Sequence, residues 1–385
     1  LSRVTGHDSA ELLVGSTVVK IERIETHRVP VNRRGAWLFV VVHADNGLSG
    51  VGEASHGGGG DRALAILDAL EPQLVGLSVA DIEAFHRRFY AGDEGRPYHT
   101  AVSAVEHALW DILGKSLGVP VHGLLGGRVR DGLRVYANIN RATDDRTPEG
   151  FARNAGSAVA DGFTAIKLAP FDDLRPGDMA RHSLGPTTRL GIDRVRAVRA
   201  EVGADVDVMV DCHSRFAPGA AVQAAREMDD LGLCWLEDPV PVTDLDGLRH
   251  VYDNTSMPIA TGETIRTLAG FHALMNARAT DYILPDVKHV GGILPLKKIA
   301  AMAEAANVQV APHNPSGPVA TAASTQCMAT VPNCAILEYA WGEVDWRASL
   351  IQPQEEIDVG MLRISPGPGL GIELSEETLR RAAGS

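Results

Sequence analysis

Three stretches early in the chain, TVVKIERIETHRVP, WLFVVVHADNG and GVGEAS, read as β-strands, and Asp45-Asn46-Gly47 supplies a hairpin turn between the last two. Helical spacing follows over residues 62–70, where Pro72 is expected to stop the helix, and again over 79–90 and 100–117. In the last of these, Val102, Val105, Leu109 and Leu113 recur as one buried stripe. A Gly-rich stretch, 118–130, ends the region, so residues 1–130 are expected to form an α+β domain.

From Leu133 the texture changes to eight short apolar runs separated by amphipathic stretches: LRVYANIN, FTAIKL, VDVMVD, LCWLED, PIATGE, DYILPD, VQVAPH and AILEYA. Strands separated by helices pair in parallel, because parallel neighbours need a long crossover. Eight such units over 131–345 fit a (β/α)₈ TIM barrel, with functional groups at the C-terminal ends of the strands. The alternative is an open doubly wound sheet, but no GxGxxG loop follows the first strand. After residue 345 the apolar residues alternate around a Pro-Gly turn, so 346–385 is expected to return to the first domain. The loops around Val31–Trp37 and Ser55–Asp61 are then placed to cover the barrel mouth.

Composition narrows the function. With 45% hydrophobic and 22% charged residues, the 385-residue chain is ordinary globular material. Its 36 Lys and Arg against 49 Asp and Glu give a formal charge of −13, which disfavours nucleic acid and anionic membrane surfaces as partners. A small anionic substrate stays open, since a local cation can override the net field. Cys212, Cys234, Cys327 and Cys334 fit neither a zinc spacing nor a disulfide scaffold and suit a reducing cytoplasm. No signal-peptide pattern opens the chain and no apolar run is long enough to span a bilayer, so a cytoplasmic protein is expected.

Lys167, Asp211, Glu237, Glu263, Asp286, His313 and Glu338 each stand at or near the end of an apolar run. From Asp211 onward the separations are 26, 26, 23, 27 and 25 residues, one βα unit each, so the groups fall on adjacent strands around one ring. A single strand-end polar residue is commonly a loop contact or helix cap; seven in succession imply one polar site. Asp211, Glu237 and Glu263 would repel one another unless paired. A divalent cation removes that conflict, and oxygen donors suit Mg²⁺ over zinc. Salt bridges to Lys167 and nearby arginines are the alternative.

Asp286 can orient His313 as a general base, although a His in PHNPSGP can also serve its own turn. His213 lies two residues past Asp211, and strand alternation points both to one side. The third and seventh strands of an eight-stranded ring are opposite, so His213 and His313 can address one substrate from two sides. Lys167 can neutralise a carboxylate or polarise an enolate, whereas the same-face position two residues on is Ala169. Glu338 is either a hydrogen-bonding partner of substrate or metal shell, or a structural carboxylate. Cys212 points away and reads as packing. Candidate substrate contacts are Arg33, Arg34, Trp37, His56 and Arg215.

Taken together, ALWDILGKSLGVPVHGLLGG, AIKLA, VDCHSRF, WLEDPV, ATGET, LPDVKHVGG and APHNPSGP resemble the successive motifs of the enolase superfamily, mandelate racemase subgroup, over nearly the whole chain. The resemblance implies an α+β capping domain, completed by the C-terminal segment, over a modified barrel. It also implies Mg²⁺ and abstraction of the proton α to a carboxylate, chemistry for which a Lys or His base and Mg²⁺ are general features of the superfamily. Asp211, Glu237 and Glu263 match the family's metal ligands, Asp286 and His313 its Asp-His dyad, and Glu338 its eighth-strand glutamate. The Lys-x-Lys of its racemases here reads Lys167-Leu168-Ala169, lacking the second base.

The pair Asp211-Cys212-His213 and His313-Asn314-Pro315-Ser316-Gly317-Pro318 is similar to that of the galactonate-type acid-sugar dehydratases. Departures are Ala169, Asn314, Ser316 and a long segment, 170–189, after the second strand. The expected function is therefore Mg²⁺-dependent dehydration of a sugar acid to a 2-keto-3-deoxy acid. His313 is the base supported by Asp286, His213 the acid, and Lys167 a stabiliser of the ene-diolate. A racemase or epimerase, or a non-catalytic acid-sugar-binding regulator, is the alternative. The family resemblance also implies a homo-oligomer.

Overall fold

The computed structural model describes residues 18–32, 35–55, 59–175 and 185–384. Strands β1 (Ile21–Asn32), β2 (Gly35–Ala44) and β3 (Ser49–Glu53) form an antiparallel sheet in that order, and the Asn46-Gly47 turn joins β2 to β3 as expected. Helices α1 (Gly60–Leu74), α2 (Ile82–Phe89) and α3 (Arg96–Leu117) complete this capping domain, followed by the short α4 (Val121–Leu124). The sheet rests on α3 through glycines: a Cβ on Gly52 would lie 1.8 Å from the Ala104 carbonyl oxygen, so only glycine permits that approach.

Two expectations here are corrected. Helix α1 runs through Pro72 to Leu74, because a proline in the last turn removes one N–H from a helix that ends two residues later. Helix α3 is buried on nearly every side rather than along one stripe, with Glu106, His107 and Asp111 inside along with the valines and leucines. It is enclosed by β3, by α10 (Ile293–Ala305) and by the C-terminal segment. Its buried acids find partners in each: Glu106 accepts from Ile293 N and Leu294 N at 2.7 and 2.8 Å, and Asp111 from Val51 N and Leu370 N at 3.0 and 2.8 Å.

The eight apolar runs become eight parallel strands: β4 (Gly132–Asn138), β5 (Ala165–Leu168), β6 (Asp207–Asp211), β7 (Trp235–Glu237), β8 (Ile259–Thr261), β9 (Tyr282–Ile283), β10 (Gln309–Val310) and β11 (Leu337–Ala340). Each pairs with the next from β4 to β10, β11 pairs with β4, and a Val310–Cys334 bridge closes the ring. Between them lie α5 (Pro148–Ala160), α6 (Pro186–Val202), α7 (Pro218–Arg226), α8 (Leu245–Asn254), α9 (Leu268–Ala277), α10 and α11 (Pro318–Met328).

Inside the ring one apolar residue from each unit forms a plug: Tyr136, Ala165, Met209, Trp235, Ala260, Leu284, Ala311 and Ile336. Large and small side chains mix, as filling a narrow barrel requires. The plug also holds the layer above it. The Trp235 indole N–H donates to Glu237, and Lys167 Nζ lies 5.3 Å from the centre of the Tyr136 ring.

The C-terminal segment carries β12 (Ile351–Gln352), β13 (Ile357–Asp358), β14 (Met361–Arg363), β15 (Glu373–Leu374) and α12 (Glu376–Ala383). It returns to the cap, where Leu370 meets Asp111, Glu373 pairs with Lys115 at 2.6 Å, and Trp346 packs edge-on to Trp37. It also touches the barrel, since β14 pairs antiparallel with β4.

Candidate functional site

At the C-terminal mouth of the barrel, the last residues of β6 and β7 and the residue two past β8 bring Asp211, Glu237 and Glu263 together. One carboxylate oxygen from each lies within 4.8 Å of the others. Asp211 and Glu237 are buried, and Glu263 is partly exposed. Burial beside further carboxylates pushes Glu237 well above the usual carboxylate range. Three oxygen donors converging at the wall of a barrel are a fit donor set for a hard divalent cation, whose charge removes that conflict.

Lys167 is the alternative counter-charge, and it meets part of the triad. Its ammonium, 1% exposed, donates to Glu237 at 2.6 Å and lies 3.1 Å from Glu338 and 4.0 Å from Asp211. Burial opposes its charge, but Glu237 and Glu338 outweigh that and hold it well above the usual lysine range. Glu263 has no contact with it among the described residues. Glu338 accepts from Asn138 Nδ2 at 2.6 Å and from Asn314 N at 2.7 Å. Burial raises its pKa, and Lys167, His313 and these donors bring it below the usual value.

Two imidazoles flank the three carboxylates. On one side His313 Nδ1 lies 2.8 Å from Asp286 while Nε2 reaches Glu263 at 3.1 Å. Asp286 is fully buried, and Lys288 meets it twice, through Nζ and backbone N at 2.8 Å each. Burial disfavours the Asp286 anion, yet His289, Lys288 and His313 together hold it well below the usual range. On the other side His213 Nδ1 lies 2.5 Å from Asp172 while Nε2 reaches Asp211 at 2.9 Å. Asp211 raises His213 most, burial opposes it, and with Asp172 the imidazole is pushed up to about 12.

The route to His213 differs from the expected one. Strand β6 ends at Asp211, and His213 sits beyond it in a left-handed turn with φ of 45°. Alternation along a strand therefore does not set its direction. The turn does, with the His213 N–H donating to Asp211 at 2.8 Å.

A cavity of about 240 Å³ opens beside His313, lined by Trp37, Ser55, Arg96, Arg141, Lys288 and His289 among others. Cap residues from both expected covering loops thus face the barrel mouth. Trp37 is almost fully buried, with Arg347 over its ring at 5.6 Å. Arg141 pairs with Glu343 at 2.5 Å on the wall. Arg215 is half-buried, and among the described residues no hydrogen bond joins its side chain to the site. Arg33, Arg34 and His56 lie outside the described residues, as does 176–184 within the long segment after β5. A second cavity, about 280 Å³ between α11 and the C-terminal segment, contains none of the strand-end residues.

Sequence reasoning missed several partners. Lys288 stood two residues past Asp286, where its positive charge was a usable signal. Asn138 ends β4, one unit before Lys167, and was detectable by the same strand-end rule. Arg141, Glu343 and Asp172 lie in loops, where spacing carries no information about contact.

Two family models match the chain: the mandelate racemase / muconate lactonizing enzyme N-terminal domain over residues 15–126 and the enolase C-terminal domain-like family over residues 150–378. Among similar proteins, the D-xylonate dehydratase of Haloferax volcanii is 37% identical over 88% of this chain and 83% of its own length. The D-galactonate dehydratase of Variovorax paradoxus is 32% identical over 95% and 94%. A solved enolase-superfamily member from Salmonella Typhimurium superposes with a TM-score of 0.85 at 29% identity, covering 94% of this chain and 98% of that one. With both domains matched and the strand-end residues gathered at one mouth, the chain belongs to the enolase superfamily, in its mandelate racemase subgroup.

Proposed function

We propose that the protein is a Mg²⁺-dependent acid-sugar dehydratase that converts a 2,3-dihydroxy acid to its 2-keto-3-deoxy product. The similar proteins named dehydratases are hydro-lyases, and this chain is an enzyme of that class. The observation that carries the reading is the pair of imidazoles, set just beyond opposite strands β6 and β10, whose Nε2 atoms both address the carboxylate triad. Asp211, Glu237 and Glu263 would hold the metal. Bound there, Mg²⁺ supplies positive charge where the substrate carboxylate gains electron density.

His313, oriented by Asp286, removes the proton at C2. Lys167 stabilises the charge that then develops on the carboxylate oxygens. His213 donates a proton to the 3-hydroxyl as the C3–O bond breaks, and water leaves. The resulting enol picks up a proton at C3 and becomes the 2-keto acid. Ala169, buried and apolar, supplies no base beside Lys167.

The test is incubation of a sugar-acid panel with protein and Mg²⁺, followed by detection of 2-keto-3-deoxy acids. Formation of such a product, abolished by chelation and restored by Mg²⁺, supports the reading. A second reading, epimerisation at C2, draws on the same two-sided imidazole geometry; an isomer in place of a keto acid would establish it.

A further inference from the structure

The turn after β5 has no part in the metal triad or the Asp286–His313 pair, yet it is built with unusual care. Arg146 Nη2 donates to the Ala169 carbonyl at 2.6 Å, and Arg194, 3% exposed, donates to the Pro170 carbonyl at 2.7 Å. Arg194 also pairs with Asp173 at 2.6 Å and bonds the Arg146 carbonyl through Nε at 2.7 Å. Phe171, in the same turn, packs edge-on to Phe216 with centroids 4.9 Å apart, which ties the turn to the loop that carries His213. The fit is close: a Cβ on Gly191 would lie 2.3 Å from the Phe171 ring. This scaffold presents one further side chain, Asp172, whose Oδ1 lies 2.5 Å from His213 Nδ1.

We propose that Asp172 is the positioning residue of His213, so that the turn after β5 builds a second Asp-His pair across the barrel mouth from Asp286–His313. His213 sits in a left-handed turn beyond its strand, and Asp211 meets its ring only at Nε2, so the ring's other edge needs a partner. A carboxylate on Nδ1 fixes the ring orientation, leaving Nε2 to face the triad. Asp172 touches neither the triad nor the cavity beside His313, so it acts through His213 alone. Arg146 also lies 3.5 Å from Asp172, at the carboxylate oxygen away from His213.

The proposal rests on the dehydratase reading for its kinetic consequence, but its geometric core is tested without turnover. In ¹⁵N-histidine protein loaded with Mg²⁺, the His213 ring signals are identified by their loss in His213→Asn. They should show a protonated, hydrogen-bonded Nδ1 that is lost in Asp172→Asn. Unchanged His213 ring signals in Asp172→Asn would overturn the proposal whether or not any acid is dehydrated. With a substrate in hand, Asp172→Asn should slow elimination about 10- to 100-fold, the cost typical of losing a histidine's orienting partner. C2 proton exchange should stay within a few-fold of wild type. Asp173→Asn, which alters the same turn without touching His213, should leave the ratio of exchange to elimination unchanged. The same change of ratio in both variants would assign the effect to turn collapse and overturn the proposal.

Discussion

Asp286 and Asp172 each hold an imidazole by Nδ1, at 2.8 and 2.5 Å, yet they stand in opposite surroundings. Asp286 follows a barrel strand, is wholly buried, and meets Lys288 at 2.8 Å. The loop after His313 is held from three more directions. Glu53 in the cap accepts from Gly317 N and Ala320 N, Arg347 in the C-terminal segment donates to the Ser316 carbonyl, and Asn314 bonds Glu338. Asp172 lies in a turn, its side chain 29% exposed, with Arg146 at 3.5 Å. A pair set on strand ends inherits its position from the barrel and from both domains around it. A pair set on a turn needs a scaffold of its own, and can be altered without disturbing the rest.

The largest effect that follows concerns stability. Asp286→Asn leaves Lys288, 3% exposed, without its counter-charge, and should cost about 3–5 kcal/mol in urea unfolding. Asp172→Asn should cost less than about 1 kcal/mol, as expected for a partly exposed pair. Equal losses would erase the distinction between the two sides.

A second test asks whether burial or cations set the charge of such acids. Asp111, as deeply buried as Asp286, is pushed up by burial to about 6, with Lys115 and backbone N–H groups opposing. Its protonated form is thus favoured by folding, so its contribution is complete below about pH 4 and is lost as pH rises through 6. The loss amounts to about 3 kcal/mol, at roughly 1.4 kcal/mol per pH unit. Asp286, held low by Lys288 and the imidazoles against it, has the opposite sign: its contribution is present above about pH 4 and fades as pH falls toward its depressed folded value. In urea unfolding, the deficit of Asp111→Asn relative to wild type should shrink from pH 4 to pH 7. A deficit independent of pH would contradict this.

A more modest effect than those of Asp286 and Asp111 belongs to the cap. Glu53→Gln turns one of two acceptors at the N-terminus of α11 into a donor facing an N–H, and should cost about 1–2 kcal/mol. Its kinetic trace should appear in C2 proton exchange, on the His313 side. A change confined to elimination would place the cap's influence on the wrong side of the site.

The strand-end residues were legible because a repeating βα unit converts sequence spacing into angular position: Asp211, Glu237, Glu263, Asp286, His313 and Glu338 needed only the period. His213 was found, but for a reason the structure replaces, since a left-handed turn rather than alternation returns it to Asp211. Asp172 was not legible. Its contact with His213 spans 41 residues and depends on two arginines that bind backbone carbonyls, an interaction with no sequence period. Pro72 misled for a local reason, because a proline's effect depends on how much helix lies beyond it. The polar interior of α3 was hidden because its partners come from three distant segments.

The central claim is that His313 removes the C2 proton and His213 serves the leaving hydroxyl. Proton NMR of a dehydrated sugar acid in D₂O with Mg²⁺ tests it most directly, comparing wild type, His313→Asn and His213→Asn. The account expects a deuterated 3-deoxy methylene with wild type, loss of both exchange and elimination in His313→Asn, and C2 exchange that outlasts elimination in His213→Asn. Equal loss of exchange and elimination in both variants would contradict the division of roles.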